Sequence, residues 1–178
     1  MHKLSLLAAT ALLAMAAPAH AEWYVKASVG QSETEVSGVD FGEALTYGAA
    51  LGAGVGPVRV EAGVDRLGGE LSLGGPSIDA DALVYSGTAY LDLRVGQNAS
   101  IYAGAGLDYV DGEASFFGSS IEASGDGWHW SVGGAYRLNE RMIAEAQVSQ
   151  LTADLDADFI GSVDLDATRV TLGLRLEL

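Results

Sequence analysis

The chain has 178 residues, with 24 acidic against nine basic side chains, a formal net charge of −15, 24 glycines, three prolines and no cysteine. That charge argues against nucleic acid as a partner, and the missing thiols exclude a disulfide scaffold, a thiolate metal site and a cysteine nucleophile. Glycines spread without a collagen-like period among short alternating segments indicate one domain of β-structure with many turns.

The first segment reads as an export signal. His2 and Lys3 precede an apolar run from Leu4 to Ala17, and Pro18-Ala-His-Ala21 has the A-x-A form of a cleavage site. The run falls short of the roughly twenty residues a membrane-spanning helix needs, and no later segment comes closer. Residues 1–21 are therefore expected to be a secretory signal peptide and residues 22–178 one domain. Losing Lys3 with the signal leaves eight basic residues and a charge of about −16.

Eight alternating segments follow, near 23–32, 44–54, 58–67, 81–95, 100–110, 127–138, 142–156 and 164–178. Val55-Gly-Pro57, Gly96-Gln-Asn98 and Asn139-Glu-Arg141 form tight turns between them. The stretches 33–43, 68–80, 111–126 and 157–163 are expected to be longer loops, rich in glycine, serine and acid. Short turns at one end and long connections at the other predict an all-β fold, an eight-stranded antiparallel up-and-down transmembrane β-barrel. The last strand fits this, with Val170, Leu172, Leu174, Leu176 and Leu178 on one face and Thr171, Gly173, Arg175 and Glu177 on the other.

Alternation does not say which face looks inward, because a soluble barrel such as a lipocalin has the same period with its apolar face inside. The aromatic residues favour lipid outside. Placed by strand direction, Tyr47, Tyr85, Tyr109, Trp128 and Trp130 fall toward the long-loop end, and Trp23 and Tyr136 toward the tight-turn end. These are two girdles of the kind found at membrane interfaces.

The opposite face carries Lys26, Arg59, Glu61, Asp65, Asp92, Arg94, Asp108, His129, Arg137, Glu145, Arg175 and Glu177. Charges enclosed in so narrow a barrel must pair, since an unpaired buried ion costs about several kcal/mol. Most of this set is expected to form a structural lumenal network, with Tyr24, Tyr90 and Tyr102 capping it near the tight turns. No open pore is predicted, because eight strands enclose little more than their own side chains. A slow path for ions or small solutes is the alternative.

In the seventh and eighth strands the outward face turns polar without a register slip, through Gln150, Thr152, Asp154, Asp156 and Asp158 and back through Asp164, Asp166 and Thr168. Leu151, Leu155, Val163 and Leu165 then point inward. This hairpin is expected to rise out of the hydrocarbon near Gln150 and Thr168. No metal is expected, the weak candidate being Asp154, Asp156, Asp158, Asp164 and Asp166, whose oxygens are of the type that Ca²⁺ or Mg²⁺ prefers.

The segments Glu22-Trp-Tyr-Val-Lys-Ala-Ser-Val-Gly30, Ser131-Val-Gly-Gly-Ala-Tyr-Arg137 and Gly173-Leu-Arg-Leu-Glu-Leu178 resemble the small outer-membrane β-barrel family, the porin-like domain of opacity-type and OmpA-type barrels. The resemblance covers essentially all of 22–178. It implies residence in the outer membrane of a Gram-negative bacterium, no cofactor and no reaction. It also implies that Gly173, Leu174, Leu176 and Leu178 carry the signal read by the barrel-assembly machinery, although the family commonly ends in an aromatic residue and this chain ends in Leu178.

One motif points elsewhere. His129-Trp-Ser131 resembles the His-x-Ser of the lipid A deacylase family, with Glu140 and Glu145 as candidate acids. Trp128 and Trp130 take the outward parity and turn His129 and Ser131 toward the lumen, so no catalysis is expected and a lipid A-modifying enzyme is the remote alternative. The leading expectation is a non-enzymatic barrel, a monomer and surface antigen of the cell envelope. Outer-membrane lipid and lipopolysaccharide surround it, and loops carrying Phe41, Phe116, Phe117 and Phe159 meet a host or cell-surface ligand or pack against themselves. A narrow porin-like channel is the second.

Overall fold

The computed structural model describes residues 21–72, 77–116, 119–157 and 161–178. Most of the expected leader, Phe117, Asp158 and Phe159 lie outside these, and of Phe116 only the backbone is described. Eight strands run β1 Glu22–Val36, β2 Val39–Val55, β3 Val58–Ser72, β4 Ser77–Arg94, β5 Ala99–Phe116, β6 Ser119–Arg137, β7 Met142–Ala157 and β8 Gly161–Glu177. Each pairs antiparallel with its sequence neighbour, and β1 pairs with β8, so the sheet closes into the predicted barrel.

Closure requires a stagger. Followed strand to strand from Val25, the register passes through Leu51, Ala62, Gly87, Leu107, Trp128, Thr152 and Asp166 and returns to β1 at Glu35, ten residues along. Such a shear in eight strands corresponds to a tilt of about 35–45° and to an interior that side chains just fill.

The tight turns lie where expected. Gly56, at φ 62°, reverses the chain between β2 and β3, and Asn139 Oδ1 accepts from the amides of Arg141 and Met142, both at 2.9 Å. At the other end the expected loops are mostly strand. Residues 33–43 are a hairpin closed by Ser37 and Gly38, whose φ values of 49° and 80° suit a twisted two-residue turn. The stretches 68–80 and 111–126 are strand through Ser72, from Ser77, through Phe116 and from Ser119.

The physical reason is a reversal of polarity along every strand. Near the tight turns, outward residues such as Val25, Leu51, Leu91, Ile101, Val132 and Leu174 are apolar and exposed, and the inward ones are mostly polar, with Ala135 and Ile143 packed against Tyr90 and Tyr102. Toward the long hairpins the outward positions become Glu33, Glu35, Asp81, Asp111, Glu113, Asp126, Asp154 and Asp164. The inward ones there become Leu67, Val84, Val110, Leu151, Ala153, Leu155, Leu165 and Ala167, one buried apolar cluster. Strands sought as outward apolar residues therefore stop too early.

Glycine on the inward parity makes room for the lumenal rings. A Cβ on Gly133 would lie 2.4 Å from Tyr102 Cζ and 2.5 Å from the Ala146 carbonyl oxygen, whereas at the adjacent, outward Gly134 the nearest atom is 3.8 Å away. Gly133→Ala is expected to destabilise the barrel by about 1–3 kcal/mol through overpacking, and Gly134→Ala to stay within about 0.5 kcal/mol. Urea unfolding in lipid vesicles, followed by tryptophan fluorescence, measures both.

Candidate functional site: an ion-paired lumen

The inward parity of β1, β3, β4, β7 and β8 brings six charged side chains together near the tight-turn end. Glu61 is their hub. Its carboxylate accepts from the Tyr24 hydroxyl at 2.9 Å and from Lys26 Nζ at 2.5 Å, and Arg59 Nη1 bonds it as well. Arg59 Nε donates to Asp92 at 2.9 Å. Glu145 stands 3.9 Å from Arg59 and 4.0 Å from Lys26. Arg175 Nη1 lies 3.1 Å from Glu145 Oε1, an ionic contact off the angle of a hydrogen bond.

Three cations thus face three carboxylates, a balance that a low-dielectric interior requires. The tyrosines complete the enclosure. The Arg59 guanidinium lies 4.0 Å from the ring centre of Tyr90 and 4.5 Å from that of Tyr102, and Arg175 lies 5.0 Å from that of Tyr24. Tyr90 and Tyr102 meet edge to face at 5.6 Å. Rings at these distances stabilise the cations through their negative faces.

Above the cluster a polar cavity of about 40 Å³ is lined in part by Lys26, Glu61, Asp65, Thr88, His129, Glu145, Ser149 and Arg169. It has room for a few water molecules. Two further contacts bound it. Arg169 bridges Ser149 at 3.1 Å and Asp65 at 3.2 Å. The buried His129 has Nδ1 2.6 Å from Asp108 Oδ2 and Nε2 3.1 Å from Thr88 Oγ1. The carboxylate assigns a proton to Nδ1, and in the neutral ring Thr88 is then the donor to Nε2. Beyond this layer the lumen is closed by Val84, Val110 and Leu151, none of which exposes any surface.

The predicted network therefore divides. Lys26, Arg59, Glu61, Asp92, Glu145 and Arg175 form one cluster, and Asp108 with His129 forms a separate pair nearer the long hairpins. Arg137 pairs with Glu177 at the tight-turn rim, at 2.7 and 2.9 Å, and Arg94 is exposed at that end, outside the cluster. The acid that holds His129 is Asp108, in place of Glu140 or Glu145, and the hydroxyl is that of Thr88, in place of Ser131. Residue spacing hides both partners because they come from the fifth and fourth strands. Register would reveal the first, since Gly106 faces His129 and Asp108 is the next inward residue of β5. The predicted set omits Arg169, which shares the inward parity of Thr171 and Arg175 on β8.

Outside, Trp128, Trp130, Tyr47 and Tyr136 are exposed, while Trp23, Tyr85 and Tyr109 are half-buried. Leu174 and Leu176 are exposed on the outward face of β8, Leu178 is exposed just beyond its end, and Gly173 faces the lumen opposite Ser28. Asp154 faces Asp164 across β7 and β8, Asp156 faces Ser162, and Asp166 accepts from Thr152 Oγ1 at 2.7 Å. Among the described residues no group of three or more His, Asp or Glu side chains is arranged to hold a metal ion. Phe41 is half-buried and turns into the barrel mouth.

Removing one ion from the balanced cluster leaves its partners buried without compensation. Glu61→Gln is expected to cost about 3–5 kcal/mol in vesicle unfolding, whereas the double variant Lys26→Met with Glu61→Leu recovers most of the loss.

The sequence matches the outer membrane protein beta-barrel domain over residues 4–177, and no curated protein matches it. Solved structures share its fold. The neisserial surface protein A, from Neisseria, has a TM-score of 0.74 at 16% identity over 88% of this chain and 97% of that one. OprG of Pseudomonas aeruginosa has 0.59 at 14% identity over 89% and 96%. Ail of Yersinia pestis, solved with the heparin analogue sucrose octasulfate, has 0.55 at 19% identity over 88% and 99%. Since the match spans every strand of a closed eight-stranded barrel, the chain belongs to the outer membrane protein β-barrel family and resides in the outer membrane of a Gram-negative bacterium.

Proposed function

We propose that this chain is a non-enzymatic, non-conducting surface barrel. Its apolar belt anchors it in the lipid, and its long-hairpin end stands in water outside the cell as the interacting part. The double closure of the lumen carries this reading. A solute entering from the tight-turn end meets the tyrosine-bounded ion cluster, and beyond it the fully buried Val84, Val110 and Leu151. Opening either level alone leaves the other shut, which disfavours a porin-like channel.

Charge narrows the kind of contact made outside. Sixteen of the 24 acidic residues, but one of the nine basic ones, fall in the segments 33–43, 66–81, 111–126 and 154–166. An end so charged repels bare polyanions, and this sets the chain apart from Ail, whose structure holds a polysulfated ligand. Lipopolysaccharide phosphates approach it best with divalent cations between. The leucines of β8, with Gly173, serve as the strand presented to the assembly machinery.

The Asp108, His129 and Thr88 chain has the parts of a hydroxyl activated by a base, but the adjacent space of about 40 Å³ admits no lipid or peptide. Its role is to satisfy buried polar groups. In planar bilayers the purified barrel is expected to give no stable conductance steps, and proteoliposomes to show no swelling in small sugars. Large, long-lived channels in either assay would overturn the reading. Lipid A from expressing cells is expected to keep its mass spectrum.

A further inference from the structure

Among the described residues the apolar cluster at the long-hairpin end borders a partly open pocket of about 190 Å³, lined in part by Phe41, Leu67, Ala82, Ala123, Leu155 and Leu165. The space has a local cause: Ala82, Gly112 and Ala123 stand abreast on β4, β5 and β6 and leave a gap beside the larger Leu67, Leu155 and Leu165. An apolar cavity of roughly 150 Å³ is already large enough to take a benzene ring.

One polar group on the wall is left over. Thr34 lines the cavity, is buried, and its hydroxyl has no hydrogen-bond partner. An unsatisfied buried hydroxyl is destabilising, and rotation about one side-chain bond exchanges its position with that of the methyl group. We propose that this cavity is a binding site for a small uncharged molecule with a single-ring or short aliphatic body and one hydrogen-bonding group, held by the apolar wall and by Thr34.

The surroundings select that class. The outward residues at this level include Glu33, Glu35, Asp81, Glu113, Asp154 and Asp164, all exposed. Acyl chains of the membrane have no apolar route through such a wall, so the ligand arrives from water. The same carboxylates disfavour an anion. Val84, Val110 and Leu151, fully buried in the same apolar cluster, stand between this pocket and the ion-paired lumen. The site is independent of the sealed-barrel reading, because binding here requires no conductance.

Fluorine NMR of the full barrel in lipid nanodiscs tests it, with 4-fluorophenol, fluorobenzene and 4-fluorobenzoate as probes. Saturable binding of 4-fluorophenol is expected, roughly tenfold tighter than fluorobenzene, with none of 4-fluorobenzoate. Ala82→Leu and Ala123→Leu, on separate strands, fill the gap and are expected to abolish saturation while leaving the linear partition into lipid unchanged. Thr34→Val is expected to erase the tenfold preference and to retain fluorobenzene. If the wild-type barrel shows only linear partition, or if both filled variants fold and still saturate, the site does not exist.

Discussion

A pleated strand has two faces and keeps their parity from end to end unless a bulge intervenes. All the rest follows from closing eight such strands through an environment that changes from lipid to water along their length. Where hydrocarbon lies outside, the outward residues are apolar and the inward ones are left to be polar. Where water lies outside, the assignment exchanges, and the interior becomes an apolar core like that of a soluble barrel. The chain makes both choices on the same strands in one unbroken sheet. Ser149 faces Arg169 and the next inward pair is Leu151 with Ala167, while on the other face Val148 opposite Val170 gives way to Gln150 opposite Thr168. The inner and outer polarities turn over at the same height.

This arrangement gives the lumen two kinds of closure. Near the tight turns the interior is ionic, and its stability depends on stoichiometry: three cations, three carboxylates and tyrosine rings against two of the guanidinium groups. At the far end it is apolar, and its closure depends on volume. An ionic layer resists the loss of any one member, because the remainder is buried charge. An apolar layer tolerates small deletions at the cost of cavities, and the alanines and glycine on β4 to β6 have left one. The histidine held by Asp108 lies between the two and belongs to the ionic side.

The likeness to surface proteins of Neisseria, Yersinia and Pseudomonas at 14–19% identity is a likeness of fold. In this chain most of the acidic residues are gathered at the outer end.

Strand number, order, lumenal parity and membrane residence were legible in the sequence, because the period of two is local and survives without knowledge of the partner strand. The polarity exchange was legible in β7 and β8, where Asp154, Asp156, Asp164 and Asp166 break a clean leucine and valine face. It was missed in the other six, where glycine and serine blur the alternation. What the tertiary structure alone decided was which charges meet. Asp108 reaches His129, Arg169 reaches Asp65 and Arg137 reaches Glu177 because the barrel's shear and radius set those neighbours, and neither quantity is written in any single strand.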